Sequence, residues 1–137
     1  MNRIIFDQEI LGLSSLLENR THARIKDVFR DEEIIYVIVA PGEMGKILGK
    51  GGETIKRLQQ QLGKRIKAVE FNDAVEMFVK NIIFPLKVEE IIQEGLVVLI
   101  KDSQKKTKSL LIGRNGRNLK LINRAVKRFF NVEVKVI

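Results

Sequence analysis

Gly49-Lys50-Gly51-Gly52 and Gly113-Arg114-Asn115-Gly116 are the stretches of this 137-residue sequence whose residue types and spacing suit chemistry. Each places two glycines around a basic residue. The wider pattern, apolar-Gly-basic-x-Gly-x-x-apolar-Lys, runs over Leu48–Lys56 and returns over Ile112–Lys120, 64 residues later. Between two helices, Gly49 and Gly113 can take the positive φ that ends a helix at little cost. Gly52 and Gly116 allow close backbone approach where the next helix begins. The N–H groups at such a start lack helical partners, and with the helix dipole they attract a phosphate. Lys50 and Arg114 add charge at the tips. Lys46 and Lys56 flank the first loop, and Arg117, Lys120 and Arg124 flank the second. Positions 117, 120, 124 and 127 or 128 fall on one helical face, a basic stripe leading away from the loop. For Lys127 and Arg128, solubility alone is a sufficient reason.

Nucleotide-triphosphate loops do not fit. Counting from Gly45, Lys50 stands where the second glycine of G-x-x-x-x-G-K-[ST] belongs, and Thr54 occupies the last glycine position of G-x-G-x-x-G. A Gly-x-x-Gly turn can also be purely structural. Two copies with basic tips, in a chain of net charge +8, favour a phosphate-bearing polymer. The charge is uneven. Residues 1–71 hold 12 Lys/Arg against 10 Asp/Glu, whereas residues 72–137 hold 13 against 7. From Lys101 to Arg128 there are ten basic residues and one acid, Asp102.

The elements that must hold these loops repeat as well. Leu58 matches Ile122 and Leu62 matches Val126 at the same offset. The spacing predicts a first helix from Asp7 as cap to about Glu18, with Ile10, Leu13 and Leu17 on one face. A strand near 24–30 follows, then a turn at Asp31-Glu32-Glu33. The continuous apolar run Ile34–Ala40 reads as a buried strand. A short helix near 44–48 leads into the first loop. A helix over 53–62 then ends at Gly63, and a strand near 65–71 closes the unit. The second unit opens with Asp73 and Glu76 at capping-box spacing. Its helix runs to about Phe84, with strands near 87–93 and 96–101. A short helix stands before Gly113, a helix covers about 117–130, and the alternation Val132, Val134, Val136 marks a last strand. The reading is α+β: two units, 1–71 and 72–137, each α-β-β-α-α-β with a three-stranded sheet packed by helices.

Other chemistries are poorly served. The chain has no Cys and a single His, His22, so thiolate or histidine metal sites and catalytic triads lack their residues. No carboxylate pair or nucleophile-base set stands near the loops, and no enzyme is expected. No cofactor is expected either. With one Tyr and no Trp, an aromatic stacking platform is not expected. The longest apolar runs are five to seven residues, against the roughly twenty of a membrane span. Acidic residues come too early for a signal peptide, so a cytoplasmic chain is expected.

Ile47-Leu48-Gly49-Lys50-Gly51-Gly52-Glu53-Thr54-Ile55 and Leu111-Ile112-Gly113-Arg114-Asn115-Gly116-Arg117-Asn118-Leu119 resemble the I-G-x-x-G-x-x-I signature of KH domains, with Leu48 and Leu119 where Ile is usual. The helix and extra strand precede each motif, which resembles the prokaryotic, type II order. Two such units in tandem are similar to the archaeal NusA-like transcription factors. Phe6-Asp7-Gln8-Glu9, Gly45–Glu53 and Ile112–Asn118 look like motifs of that family. The resemblance covers essentially the whole chain and leaves no residues for the polymerase-binding and S1 domains of bacterial NusA. It implies single-stranded RNA held by the two loops, through Lys46, Gly49, Lys50, Gly51, Gly52 and Lys56, and through Gly113, Arg114, Asn115, Gly116, Arg117, Lys120 and Arg124. Ile47, Leu48, Leu111 and Ile112 are groove walls or core residues. The role implied is transcription termination or antitermination, with RNA polymerase or other transcription factors as partners. Ribosome assembly, another RNA process, or a protein-interaction scaffold that no longer binds RNA are the alternatives.

Overall fold

In the computed structural model, which describes residues 2–31 and 34–137 with side chains from residue 12 onward, the chain falls into two units divided between Phe71 and Asn72. The first runs α1 (Asn2–Thr21), β1 (Ile25–Arg30), β2 (Ile34–Val39), α2 (Met44–Leu48), α3 (Glu53–Leu62) and β3 (Arg65–Glu70). The second runs α4 (Val75–Ile83), β4 (Glu90–Glu94), β5 (Val97–Lys101), α5 (Lys105–Ile112), α6 (Arg117–Lys127) and β6 (Glu133–Val136). A single 3-10 turn, Lys50–Gly52 or Arg114–Gly116, joins α2 to α3 and α5 to α6.

Each unit is an α+β layer on one three-stranded sheet, ordered β1-β2-β3 or β4-β5-β6. The first two strands pair antiparallel and the last two parallel. The central strand Ile34-Ile35-Tyr36-Val37-Ile38-Val39 is all β-branched or aromatic, the composition a pleated and covered strand favours. Ile35, Val37 and Val39 pack with Leu17, Val28, Ile47, Leu58 and Ile66 into one core. The apolar faces of α1, α2 and α3 therefore meet on one side of the sheet, and this fixes the angle at which α2 enters the loop. In the second unit α4 buries Val75, Phe78, Val79, Ile82 and Ile83. Phe78 stands edge-on to Phe129 at 5.6 Å and lies 5.9 Å from Phe130.

Several boundaries differ from the sequence expectation. The first helix starts at Asn2, so Asp7 lies inside it and not at its N-terminus. The side chain of Ile10, and Glu32 and Glu33 of the expected turn, lie outside the described residues. Asp31 does make a turn, its Oδ1 accepting the Ile34 N–H at 2.8 Å. Asp73 does not cap α4. Asn72 turns the chain instead, its Oδ1 accepting the Ala74 N–H at 2.8 Å, and the helix begins at Val75. The strand expected from Lys87 starts only at Glu90. α6 stops at Lys127, where the turn tightens and the Phe129 N–H reaches the Val126 carbonyl three residues back, at 3.1 Å.

Among the described residues, no helix is long and apolar enough to cross a membrane.

Candidate nucleic-acid interface

The two loops share one backbone path. Gly49 lies at φ 73, ψ 175 and Gly113 at φ 74, ψ 173, a region only glycine occupies without strain. Gly51 (φ 62, ψ 20) and Asn115 (φ 58, ψ 25) are both left-handed, as are Gly52 (φ 76, ψ 15) and Gly116 (φ 74, ψ 12). Asparagine is among the few side chains that tolerate this conformation, which explains why one loop can carry Asn where the other has Gly. Close contact adds to the requirement for glycine. A Cβ at Gly49 would stand 2.9 Å from the Thr54 backbone N, and one at Gly113 2.9 Å from that of Asn118. The first helix of each pair ends with Gly49 N–H on the Gly45 carbonyl and Gly113 N–H on that of Ser109, both at 2.9 Å. The turn closes with Gly52 N–H on Gly49 and Gly116 N–H on Gly113, both at 3.1 Å. Lys50 and Gly51, and Arg114 and Asn115, form the two tips, between the helix-ending glycine and the start of the next helix. All four residues are exposed. Each tip thus presents exposed backbone beside one cation at a helix start, an arrangement that suits a phosphate oxygen.

Lys50, Lys56, Arg114, Arg117 and Lys120 are exposed around the loops, and Arg124 is half-buried. Lys46 meets Glu43, Nζ to Oε2 at 3.0 Å. That ammonium and the Arg24 N–H, which Glu43 Oε1 accepts at 3.0 Å, hold the Glu43 carboxyl below its usual range. Asp102 takes the matching corner of the second unit. It accepts the Glu89 N–H at 3.2 Å through Oδ2 and the Gln104 N–H at 2.8 Å through Oδ1. Each acid ties the base of its first strand to the entry of the helix before the loop.

Beside the second loop a groove of about 480 Å³ runs along α6 to β6, lined by Gly116, Leu119, Lys120, Asn123, Arg124, Lys127 and Glu133. The expected stripe therefore borders a concave surface at Lys120, Arg124 and Lys127, and Lys127 pairs across it with Glu133. Ile47 and Leu111 are fully buried core residues and wall nothing. Leu48 is half-buried and Ile112 is exposed. His22 is exposed at the end of α1, at φ 60.

Three locks beneath the loops escape sequence reading. Asn118 Nδ2 donates to the Leu110 carbonyl at 2.8 Å, joining the two helices of the second loop. Gln59 Oε1 accepts the Ile66 N–H at 2.9 Å, and Asn123 Oδ1 accepts that of Val134 at 2.8 Å. Gln59 and Asn123 stand 64 residues apart, the offset of the loops, and that coincidence was the available signal. Among the described residues, no group of three His, Cys, Asp or Glu could hold a metal ion.

Comparison with known proteins adds a family. Residues 14–90 match the KH domain model, a span that takes in the first loop and ends at the start of β4. A protein of Methanococcus vannielii named probable transcription termination protein NusA is 33% identical over 128 residues, 90% of this chain and 72% of its own. The protein of that name in Thermoplasma acidophilum is 29% identical, over 96% of this chain and 94% of its own. The crystal structure of APE1850 superposes with a TM-score of 0.74 at 29% identity, over 95% of this chain and 99% of that one.

Proposed function

The chain belongs to the archaeal NusA-like family of KH proteins, and from that premise we propose that both of its units are KH domains that bind single-stranded RNA through their Gly-x-x-Gly loops, in transcription termination or antitermination. The observation that carries this reading is the identity of backbone path in the two loops, Gly49–Gly52 and Gly113–Gly116, each with an exposed cation at its tip. The first domain comprises residues 1–71 and the second 72–137, which extends the KH reading beyond the matched span to a unit with the same element order and sheet topology.

The N–H groups of Lys50 and Gly51, and of Arg114 and Asn115, hold sugar-phosphate. Lys46, Lys56, Arg117, Lys120 and Arg124 supply flanking charge, with Lys46 doing so only when it leaves Glu43. The bases lie away from the tips, beside α6 in its groove in the second unit and beside α3 in the first. The role is binding and not catalysis, in the cytoplasm, with RNA polymerase or another transcription factor as protein partner.

Fluorescence-anisotropy titration tests the reading with one RNA sequence offered as a single strand and as a duplex. The single strand binds more tightly, and its affinity falls linearly with salt on logarithmic axes, with a slope of about 0.7 per phosphate contact. Equal affinity for the duplex, or indifference to salt, overturns it.

A further inference from the structure

Arg65 and Glu133 hold the same place in the two units and carry opposite charge. Arg65 opens β3 and pairs with Ile34, the first residue of β2. Glu133 opens β6 and pairs with Val97, the first residue of β5. The next residue of each strand, Ile66 or Val134, donates its N–H to the amide side chain of the helix after the loop. Strand register and this lock agree, so the two positions are structural equivalents.

In the second unit Glu133 forms one wall of the groove, with Leu119, Asn123 and Arg124 among the other lining residues. Lys127 Nζ meets its Oε2, which fixes the carboxylate and leaves Oε1 for a further donor. At the offset of the loops, Leu119 corresponds to Ile55 and Lys120 to Lys56, whereas Arg124 corresponds to Gln60. The apolar surface and the first cation are thus common to both units, and the residue at the strand start is inverted.

We propose that this position selects the base lying beside each loop. Glu133 favours a base that donates, such as cytosine through its N4 amine, and Arg65 favours a base that accepts, such as uracil through its O4. The inference rests on the RNA-binding reading above. A carboxylate only accepts hydrogen bonds and a guanidinium only donates them. Cytosine and uracil have nearly the same shape and opposite hydrogen-bonding character at position 4. In either slot the wrong pyrimidine sets two donors or two acceptors against each other, and a polar group taken from water without a partner is penalised. The loops cannot make this distinction, because phosphate contacts position the strand without reading its sequence. The two units therefore read unlike bases although their loops are alike.

The test uses the full chain with one loop disabled at a time and short oligocytidine and oligouridine of equal length. With the first loop disabled by Lys50→Asp and Gly51→Asp, oligocytidine binds more tightly, by about fivefold, the scale of one partly exposed charge-assisted hydrogen bond. Glu133→Gln, whose amide both donates and accepts, brings that ratio towards one, and Glu133→Arg reverses it. With the second loop disabled by Arg114→Asp and Asn115→Asp, oligouridine binds more tightly, and Arg65→Glu reverses the order. RNA binding that persists with the pyrimidine ratio unmoved by Glu133→Arg, Glu133→Gln and Arg65→Glu overturns the inference and leaves the RNA reading standing. Failure of the unmutated chain to bind either oligonucleotide removes the RNA reading, and the inference with it.

Discussion

Asn123 grips Val134 with both ends of its amide: Oδ1 accepts the Val134 N–H at 2.8 Å and Nδ2 donates to the Val134 carbonyl at 3.0 Å. The helix that starts at the second loop is thereby stitched to the strand on which Glu133 stands. In the first unit the longer Gln59 makes a single bond of this kind, to the Ile66 N–H.

Replacing Asn123 by Ala leaves a half-buried donor and acceptor of Val134 without their partner. An unmade hydrogen bond of this sort costs about 1–3 kcal/mol. Asn123→Ala is expected to lower the urea midpoint more than Gln59→Ala, with little change in the slope of the transition. Equal losses in the two variants would show that the second bond of Asn123 adds nothing.

Gly49→Ala and Gly113→Ala combine a conformation reserved for glycine with a Cβ pressed on the backbone of Thr54 or Asn118. Each is expected to cost about 3 kcal/mol or more. At Gly116 the φ is also positive, but the space around a new Cβ is open. Gly116→Ala then pays only the left-handed penalty, about 1–2 kcal/mol. Thermal melts of the three variants should rank in that order, and a mild Gly113→Ala would refute the contact argument.

Glu43 gives the fold a sensitivity to acid. Its carboxyl is held below the usual range by Lys46 and by the Arg24 N–H. A depressed carboxyl contributes stability above its unfolded pKa, about 4.3 for glutamate, and loses it as pH falls through the lower folded value. Glu43→Gln keeps an acceptor for Arg24 and removes the titrating charge. Urea midpoints of the parent should fall more than those of Glu43→Gln between neutral pH and about pH 3. Parallel pH profiles would show that the corner contributes through packing alone.

Features of the fold set by short stretches of chain were readable in advance. Ile34–Val39 needed only its own residues to be a buried strand, and Gly49, Gly63 and Gly113 announced positive φ through their place after helical spacing. Features set by distant partners were not. Asp73 and Glu76 have capping-box spacing, yet Asn72 is the residue whose side chain reaches the Ala74 N–H. Phe129 has helical phase but ends beyond α6, where it and Phe130 stand against Phe78, more than forty residues earlier. Lys46 read as a loop cation although Glu43 stands only three residues before it; the part hidden from the sequence is that Glu43 is also held by the Arg24 N–H, nineteen residues earlier.

The second loop should contribute more to RNA affinity than the first. Their backbones are alike, so the difference must come from charge and side chains. Residues 72–137 carry a net +6 against +2 for residues 1–71. Lys120, Arg124 and Lys127 line the groove beside the second loop, where the first unit has Lys56, Gln60 and Gly63 at the same offset. Phosphate contacts set most of the affinity and nearly all of its salt slope. Double replacements at both tips would confuse this comparison, because Gly51 lies at φ 62 and an Asp there adds strain that Asn115→Asp does not. Lys50→Glu and Arg114→Glu reverse one exposed charge each and leave the left-handed residues alone. Anisotropy titrations with one single-stranded RNA should show the larger loss, and the larger fall in salt slope, for Arg114→Glu. Two loops engaging one strand would instead be linked, so that losing either contact costs the same effective concentration. Equal losses in the two variants would favour that linkage over local charge. A larger loss for Lys50→Glu would mean that the all-glycine tip, with its more open backbone, makes the tighter phosphate seat.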